Sequence, residues 1–345
     1  MLKLTLTLTI VLTYSLTINP LMGQTVAING AGATFPYPIY IKWFSEYQKE
    51  VSNVKFNYQP MGSSGGVRQL FSQTIDFAAS DVPVSVEEIK SKKLEWNILQ
   101  IPTVLGSVVI VYNLNEKNVK LDGNTLSNIF KGKIKKWDDQ LIASLNPGIK
   151  LPNKEILVVH RSDGSGTTEI FTNYLSMVSI DWKSSPGSGK ALSWPTGIGA
   201  KGNDGISAMI KQTPGSIGYV EYAFAVNNNL SMVALKNSSG KFVTPSINAM
   251  VKAASELKNV SQISQIDIQN LDANKMNILN ISGDESYPIT SFTYILIPNK
   301  KQNEKIEHLK KFIRWALDNK GQKMTNALSY APLPEELRKK FIDSI

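Results

Sequence analysis

Cysteine is absent from this 345-residue chain, and histidine occurs only twice, at His160 and His308. The first absence excludes a disulfide scaffold, a thiolate zinc site, an iron–sulfur cluster, a cysteine nucleophile and a lipid-bearing N-terminal cysteine. The second leaves too few imidazoles for a multi-histidine metal centre, and a Ser-His-Asp triad would have to take its base from one of those two residues. Acidic side chains are outnumbered, 28 Asp and Glu against 37 Lys and Arg, for a formal charge of +9. Hydrophobic residues make up 42% of the chain and charged ones 19%. That supports a sizeable core and excludes a disordered or fibrous protein. The length suits about two domains, with no internal repeat or low-complexity linker between them.

Charge is also scarce at the start, where Lys3 is the only charged residue before Lys42. Residues 4–18 interleave apolar side chains with threonine, Asn19-Pro20 breaks the run, and Gly23 offers a small residue for cleavage. This is the layout of a secretory signal peptide over residues 1–23. The alternation alone would also suit an edge strand, and the run is shorter than the roughly 20 apolar residues of a spanning helix. Losing one lysine and no acid, the mature chain would carry +8 instead of +9. Lysines are densest at Lys300, Lys301, Lys305, Lys310 and Lys311, which reads as a solvated helix face. Basic and aromatic residues are not interleaved as a nucleic-acid module requires, so no nucleic-acid partner is expected.

What is present is an alternation of strands and helices. Residues 25–29 read as a strand, followed by Gly30-Ala31-Gly32-Ala33-Thr34-Phe35-Pro36 and a helix with Tyr40, Trp43, Phe44 and Tyr47 on one face. Val54, Phe56 and Tyr58 alternate as a strand before Gly62-Ser63-Ser64-Gly65-Gly66, then Val67, Leu70 and Phe71 at helical spacing. Residues 156–159 form an apolar run before Arg161-Ser162-Asp163-Gly164-Ser165-Gly166-Thr167-Thr168, and Phe171, Tyr174, Leu175 and Val178 then share a helical face. Residues 104–112 and 294–297 are apolar runs expected as central strands where the chain passes between lobes. The last clear helix runs through Ile306, Leu309, Ile313 and Leu317, with Gly321 as its expected stop.

Strand, hydroxyl-rich small-residue loop, helix: this grammar occurs three times. A helix start leaves unpaired N–H groups at the positive end of the macrodipole, and an anion docked there satisfies both. Ordinary capping by Ser, Thr or Asp accounts for most single cases. Three together, the third carrying Arg161 with its forked guanidinium, point to an oxyanion. Asp163 is an obvious salt-bridge partner for Arg161, and it could equally orient the guanidinium. Asp81, in Phe77-Ala78-Ala79-Ser80-Asp81-Val82-Pro83, reads from its own segment as a turn residue before proline. Nucleotide motifs fail: Gly30-Ala31-Gly32-Ala33-Thr34-Phe35 ends in phenylalanine where the dinucleotide fingerprint needs Gly or Ala, and Gly189-Lys190-Ala191 lacks the hydroxyl residue of a P-loop. No Gly-x-Ser-x-Gly elbow surrounds the candidate serines.

Together, the Gly30–Pro36, Gly62–Gly66, Ala79–Asp81 and Arg161–Thr167 motifs resemble the family of periplasmic phosphate-binding proteins that serve phosphate-specific ABC importers. Lys131–Trp137, Lys201-Gly202-Asn203-Asp204-Gly205, Ile217–Tyr222 and Pro288-Ile289-Thr290-Ser291 extend the likeness, while residues 248–284 match least. The resemblance implies an α/β, two-lobed periplasmic binding protein fold (type II), each lobe a mixed sheet flanked by helices, joined by a two-strand hinge. Residues 24–107 plus 285–345 would form one lobe and 108–284 the other. By similarity, Ala33, Thr34, Phe35 and Ser63 would donate to phosphate from the first lobe. Asp81 would be the lone acceptor, and Arg161, Ser165, Gly166 and Thr167 would bind from the second. The implied protein is a cofactor-free, non-enzymatic monomer, free in the periplasm without a lipid anchor, whose partners are inorganic phosphate and the membrane permease subunits of the importer. Two alternatives stay open: a binding protein for sulfate or another oxyanion, and a secreted phosphohydrolase, which two histidines and the lack of a carboxylate cluster disfavour. An additional adhesive role for the basic exterior is also open.

Overall fold

The computed structural model describes residues 25–256, 276–299 and 303–345. The signal peptide expected over 1–23, together with Lys300 and Lys301, lies outside the described residues.

Among the described residues, a nine-stranded mixed sheet runs through the molecule. At one end β2 (Val54–Pro60) and β3 (Phe77–Ser80) flank β1 (Val26–Gly32), both parallel to it. Next come β12 (Thr290–Asn299) and β4 (Asn97–Tyr112), antiparallel to their neighbours. At the other end β6 (Leu157–Arg161) lies between β8 (Ser216–Glu221) and β7 (Ile198–Ala200), parallel to both. A short β9 (Ser231–Met232) also pairs with β4. A separate three-stranded sheet joins β5 (Lys120–Leu121), β10 (Ala234–Lys236) and β11 (Phe242–Val243).

The sixteen-residue β4 connects the two ends. Its stretch from Asn97 to Ser107 pairs with β12, and from Val108 onward it pairs with β8. The apolar run expected over 104–112 thus straddles the point of partner exchange. Every residue of β4 after Asn97 is buried, as a near-continuous hydrophobic strand covered on both faces must be. The run expected over 294–297 lies in β12, which among the described residues pairs with β3 and β4 and does not pass between the two ends of the sheet.

The three expected loop-to-helix units all form. The helix Tyr37–Glu50 follows β1 and buries Tyr40, Trp43, Phe44 and Tyr47. Phe44 stacks on Phe56 with ring centroids 4.7 Å apart, so the helix face and β2 share one aromatic core. The helix Ser63–Phe71 follows β2, and Gly166–Val178 follows β6. All three loops therefore emerge from the C-terminal ends of parallel strands, where open α/β sheets place their ligands.

One expectation fails locally. The helix Glu304–Leu317 stops at Asp318, not at Gly321, which lies inside the short helix Asn319–Gln322. Gly321 is needed there for close approach instead: a Cβ would collide with the backbone of Ala316, and its carbonyl accepts the Trp43 indole N–H at 2.9 Å. The lysines of the Glu304–Leu317 helix behave as a solvated face, Lys305 pairing with Asp76 and Lys310 with Glu307.

Candidate oxyanion-binding site

The loop after β1 is held from behind. Tyr58 donates its hydroxyl proton to the Ala33 carbonyl at 2.7 Å, and Tyr330 donates to the Phe35 carbonyl at 2.6 Å. The Ala33 amide donates to the Ala79 carbonyl at 2.9 Å, so it braces β1 against β3 instead of facing a ligand. The amides of Thr34 and Phe35 have no protein acceptor among the described residues. They are the backbone donors this loop has to offer.

Ser63 opens its helix after Gly62, which holds φ at +89°. A side chain at Gly62 would run into the Asp163 carboxylate and the Gly164 carbonyl. That close approach lets the Ser64 amide donate to the Gly164 carbonyl at 3.0 Å. The Ser63 hydroxyl oxygen accepts from the Asp81 amide at 3.3 Å and the Gly166 amide at 3.2 Å. With both lone pairs engaged, its own proton points to Asp81 Oδ2 at a long 3.5 Å.

From the other end of the sheet, Arg161 closes β6 with a side chain only 1% exposed. Its Nε and Nη2 donate to the two oxygens of Asp163 at 2.7 and 2.6 Å, a bidentate pair, and its Nη1 donates to the Thr167 hydroxyl at 3.3 Å. Two of its five N–H groups are left over. The Arg161 amide donates to the hydroxyl of Tyr219, which also bonds the Thr168 hydroxyl at 2.7 Å and so locks the strand end to the following helix. Ser165 caps that helix by accepting from the Thr168 amide, and its own amide donates to the Lys190 carbonyl. Gly166 has no space for a Cβ, which would strike Ser63 and Asp81.

Asp81 sits in the middle of these donors and is 1% exposed. Its Oδ1 accepts from the Thr293 hydroxyl at 3.0 Å, while its Oδ2 lies 3.5 Å from both the Ser63 and Thr167 hydroxyls. Burial pushes its carboxyl up to about 7, against the lowering effects of Thr293, Arg161, Thr167 and Ser63. Burial works on Asp163 in the same direction, but there the Arg161 fork and the Gly202 amide win and hold the carboxyl below its ordinary value. Glu221, fully buried at the end of β8, is driven well above the carboxylate range by burial. The loops carrying Ala33, Thr34, Phe35 and Ser63 thus meet those carrying Arg161, Ser165, Gly166 and Thr167 around one carboxyl.

Sequence reasoning did not single out Thr293, Tyr219, Tyr330 or Asn203. Asn203 and Thr293 stand in or beside stretches that carried the family likeness, but neither has a local signal. Their partners Thr34 and Asp81 lie 169 and 212 positions away. His160, the only histidine near the arginine loop, stacks on Trp194 at 4.7 Å and keeps Nδ1 on the Arg161 carbonyl.

A fold of this kind, with donor-rich loops meeting across a shared strand, defines a periplasmic-binding-protein-like molecule, and a family model described as the PBP superfamily domain matches residues 20–320. The chain is 44% identical to the phosphate-binding protein PstS of Haemophilus influenzae over 94% of each chain. It is 46% identical to PstS of Pasteurella multocida, over 92% of this chain and 89% of that one. At that identity and coverage, the chain belongs to the PstS family of phosphate-binding proteins within that superfamily. Among solved structures it resembles a high-affinity periplasmic phosphate-binding protein bound with phosphate, with a TM-score of 0.71 at 20% identity over 93% of this chain and 94% of that one. It likewise resembles a phosphate-binding protein from Stenotrophomonas maltophilia, with a TM-score of 0.69 at 19% identity over 92% and 93%. The family and the fold expected from the loop motifs are both borne out.

Proposed function

We propose that this chain is a secreted binding protein that captures inorganic phosphate between two lobes and hands it to the membrane permease subunits of an ABC importer. The observation that carries this reading is a cluster of donors from two sets of loops gathered at the buried carboxyl of Asp81. The amides of Thr34, Phe35 and Thr167, the Thr34 and Ser165 hydroxyls and the spare N–H groups of Arg161 have no protein acceptor among the described residues, while the Ser63 and Thr167 hydroxyls reach Asp81 Oδ2 at 3.5 Å. Each charge-assisted bond contributes about 1.5–3 kcal/mol net. A few suffice for a dissociation constant of about 1 μM, which corresponds to roughly −8 kcal/mol.

The lobes are residues 24–107 with 285–345 and residues 108–284. Supporting this division, β4 changes partner between Ser107 and Val108, and three bonds cross between the two segments: Gly166 amide to Ser63 hydroxyl, Ser64 amide to Gly164 carbonyl, and Asn203 side-chain amide to Thr34 hydroxyl. Opening about the shared strand would admit the ligand, and closing would present the permease with a recognisable form. The mature protein starts after Gly23, carries no lipid and acts as a periplasmic monomer without nucleic acid.

The chain binds without turnover. Phosphoester hydrolysis needs an activated nucleophile or metal ions, and His160 is committed to Trp194 and a backbone carbonyl. Incubation with p-nitrophenyl phosphate should release no more nitrophenol than an Arg161→Ala control. Release by wild type that disappears in that variant would place the protein among the phosphatases.

A further inference from the structure

We infer that Asn203 is a positioning residue, which turns the Thr34 hydroxyl into an obligate donor toward the ligand and does so only when the two lobes meet. The inference rests on the phosphate-binding reading above and adds a residue to it.

The backbone N–H of Glu221 can only donate, and it donates to Asn203 Oδ1 at 3.0 Å. That fixes which end of the Asn203 amide is oxygen and which is nitrogen. The NH₂ end donates to Thr34 Oγ1 at 2.8 Å, and the backbone amide of Asn203 donates to the same oxygen at 3.3 Å. A hydroxyl has two lone pairs and one proton. Both lone pairs of Thr34 are filled, so its O–H can serve only as a donor. No protein group among the described residues accepts it. Asn203 is fully buried and Thr34 is 4% exposed, so water does not compete freely for that proton. An anion oxygen beside the free amides of Thr34 and Phe35 is the acceptor this geometry awaits.

Thr34 follows β1 and Asn203 stands in the first turn of the helix Gly202–Gln212, which follows β7. Gly202 adopts φ +70° there, and its amide donates to Asp163, the partner of Arg161. Glu221, which holds the other end of Asn203, pairs with Val108 at the point where β4 changes partners. Asn203 therefore links the shared strand to a ligand loop on the opposite lobe.

A double-mutant cycle on phosphate affinity tests this, with thermal unfolding as the control for folding. In Asn203→Asp, one carboxylate oxygen still accepts from Glu221, while the other takes the Thr34 proton away from the ligand. Affinity should fall about a hundredfold, combining one misdirected charged bond with added negative charge. In a Thr34→Val background, where no proton remains to misdirect, the same change should cost about tenfold or less. Asn203→Ala adds no charge and runs the same cycle even if the aspartate variant fails to unfold cooperatively. It should cost about tenfold alone and less than about twofold with Thr34→Val, the coupling expected of groups in direct contact. Equal losses from Asn203→Ala in both backgrounds, or none in either, overturn the role of Asn203. A wild type that binds no phosphate overturns the functional reading itself.

Discussion

Asp81→Asn should keep phosphate binding and lose most of the discrimination against sulfate. A carboxylate among donors for an anion repels its own ligand strongly once water is excluded. The arrangement is coherent only if the ligand brings a proton. Phosphate near neutral pH still carries at least one, and it can be donated to Asp81 Oδ2, which Thr293 does not bond and which the Ser63 and Thr167 hydroxyls reach only at 3.5 Å. Sulfate carries none, and its oxygen would face an unpaired buried carboxylate. Leaving a buried charge without a partner costs about 3–5 kcal/mol, so selectivity comes from a repulsive element and not from better contacts with phosphate. The asparagine variant keeps the shape and replaces that repulsion with an N–H donor.

The same carboxyl makes the discrimination depend on pH. Because Asp81 sits at about 7, it is about nine-tenths charged at pH 8 and about nine-tenths protonated at pH 6. Only the protonated form can donate to sulfate, so wild-type sulfate affinity should rise about tenfold over that interval, in step with the competent fraction. The Asp81→Asn affinity should stay flat. Stability follows the same group: its folded value lies above the unfolded one, so its contribution is fully present below about pH 4 and is lost as pH rises through about 7. The unfolding midpoint of wild type should fall relative to that of Asp81→Asn as pH rises across that window. Competition titrations and melts at pH 6 and pH 8 check both statements, and pH-independent sulfate exclusion in wild type would contradict them.

Arg161→Lys should weaken phosphate binding by about 1–3 kcal/mol, the worth of a charged hydrogen bond. Lysine keeps the charge and loses the planar fork. Here the fork has two duties: one edge is held by both Asp163 oxygens, and Nη1 reaches the Thr167 hydroxyl. An ammonium cannot do both, so the loss combines a missing ligand contact with a looser Asp163, which itself holds the Gly202 amide. A control charge swap at exposed Lys339, paired with Glu335 on the surface, should leave affinity unchanged. Equal affinities of Arg161→Lys and wild type by calorimetric titration would reduce Arg161 to a salt-bridge partner of Asp163.

Much of this site was legible in the sequence because its parts are local. Glycine, hydroxyl residues and the onset of helical periodicity fall within a few positions of one another, and capping physics ties them to a helix start. Arg161 and Asp163 are two residues apart and could be paired on sight. Asp81 was less legible: its segment reads as a turn before Pro83, and its chemistry comes from Thr293 on β12 and from burial by both lobes. The role of Asn203 depends on Thr34 and Glu221, so it exists only in the folded molecule. Ala33 shows the reverse case. Its motif is plain, yet its amide is spent on the Ala79 carbonyl, a cross-strand partner that a linear pattern does not reveal. Gly321 looked like a helix stop, and its reason is the Trp43 indole from the other end of the chain.

Calorimetric titration of the purified protein with inorganic phosphate, sulfate and a phosphomonoester at pH 8 tests the central claim most directly. One saturable phosphate site with a dissociation constant of about 1 μM or tighter is expected, with no displacement by sulfate at comparable concentration. No competition is expected from the monoester, whose substituent would meet the almost fully buried Asp81 and Arg161. Sulfate that displaces phosphate from wild type at comparable concentration, or the absence of any phosphate isotherm, would contradict that claim.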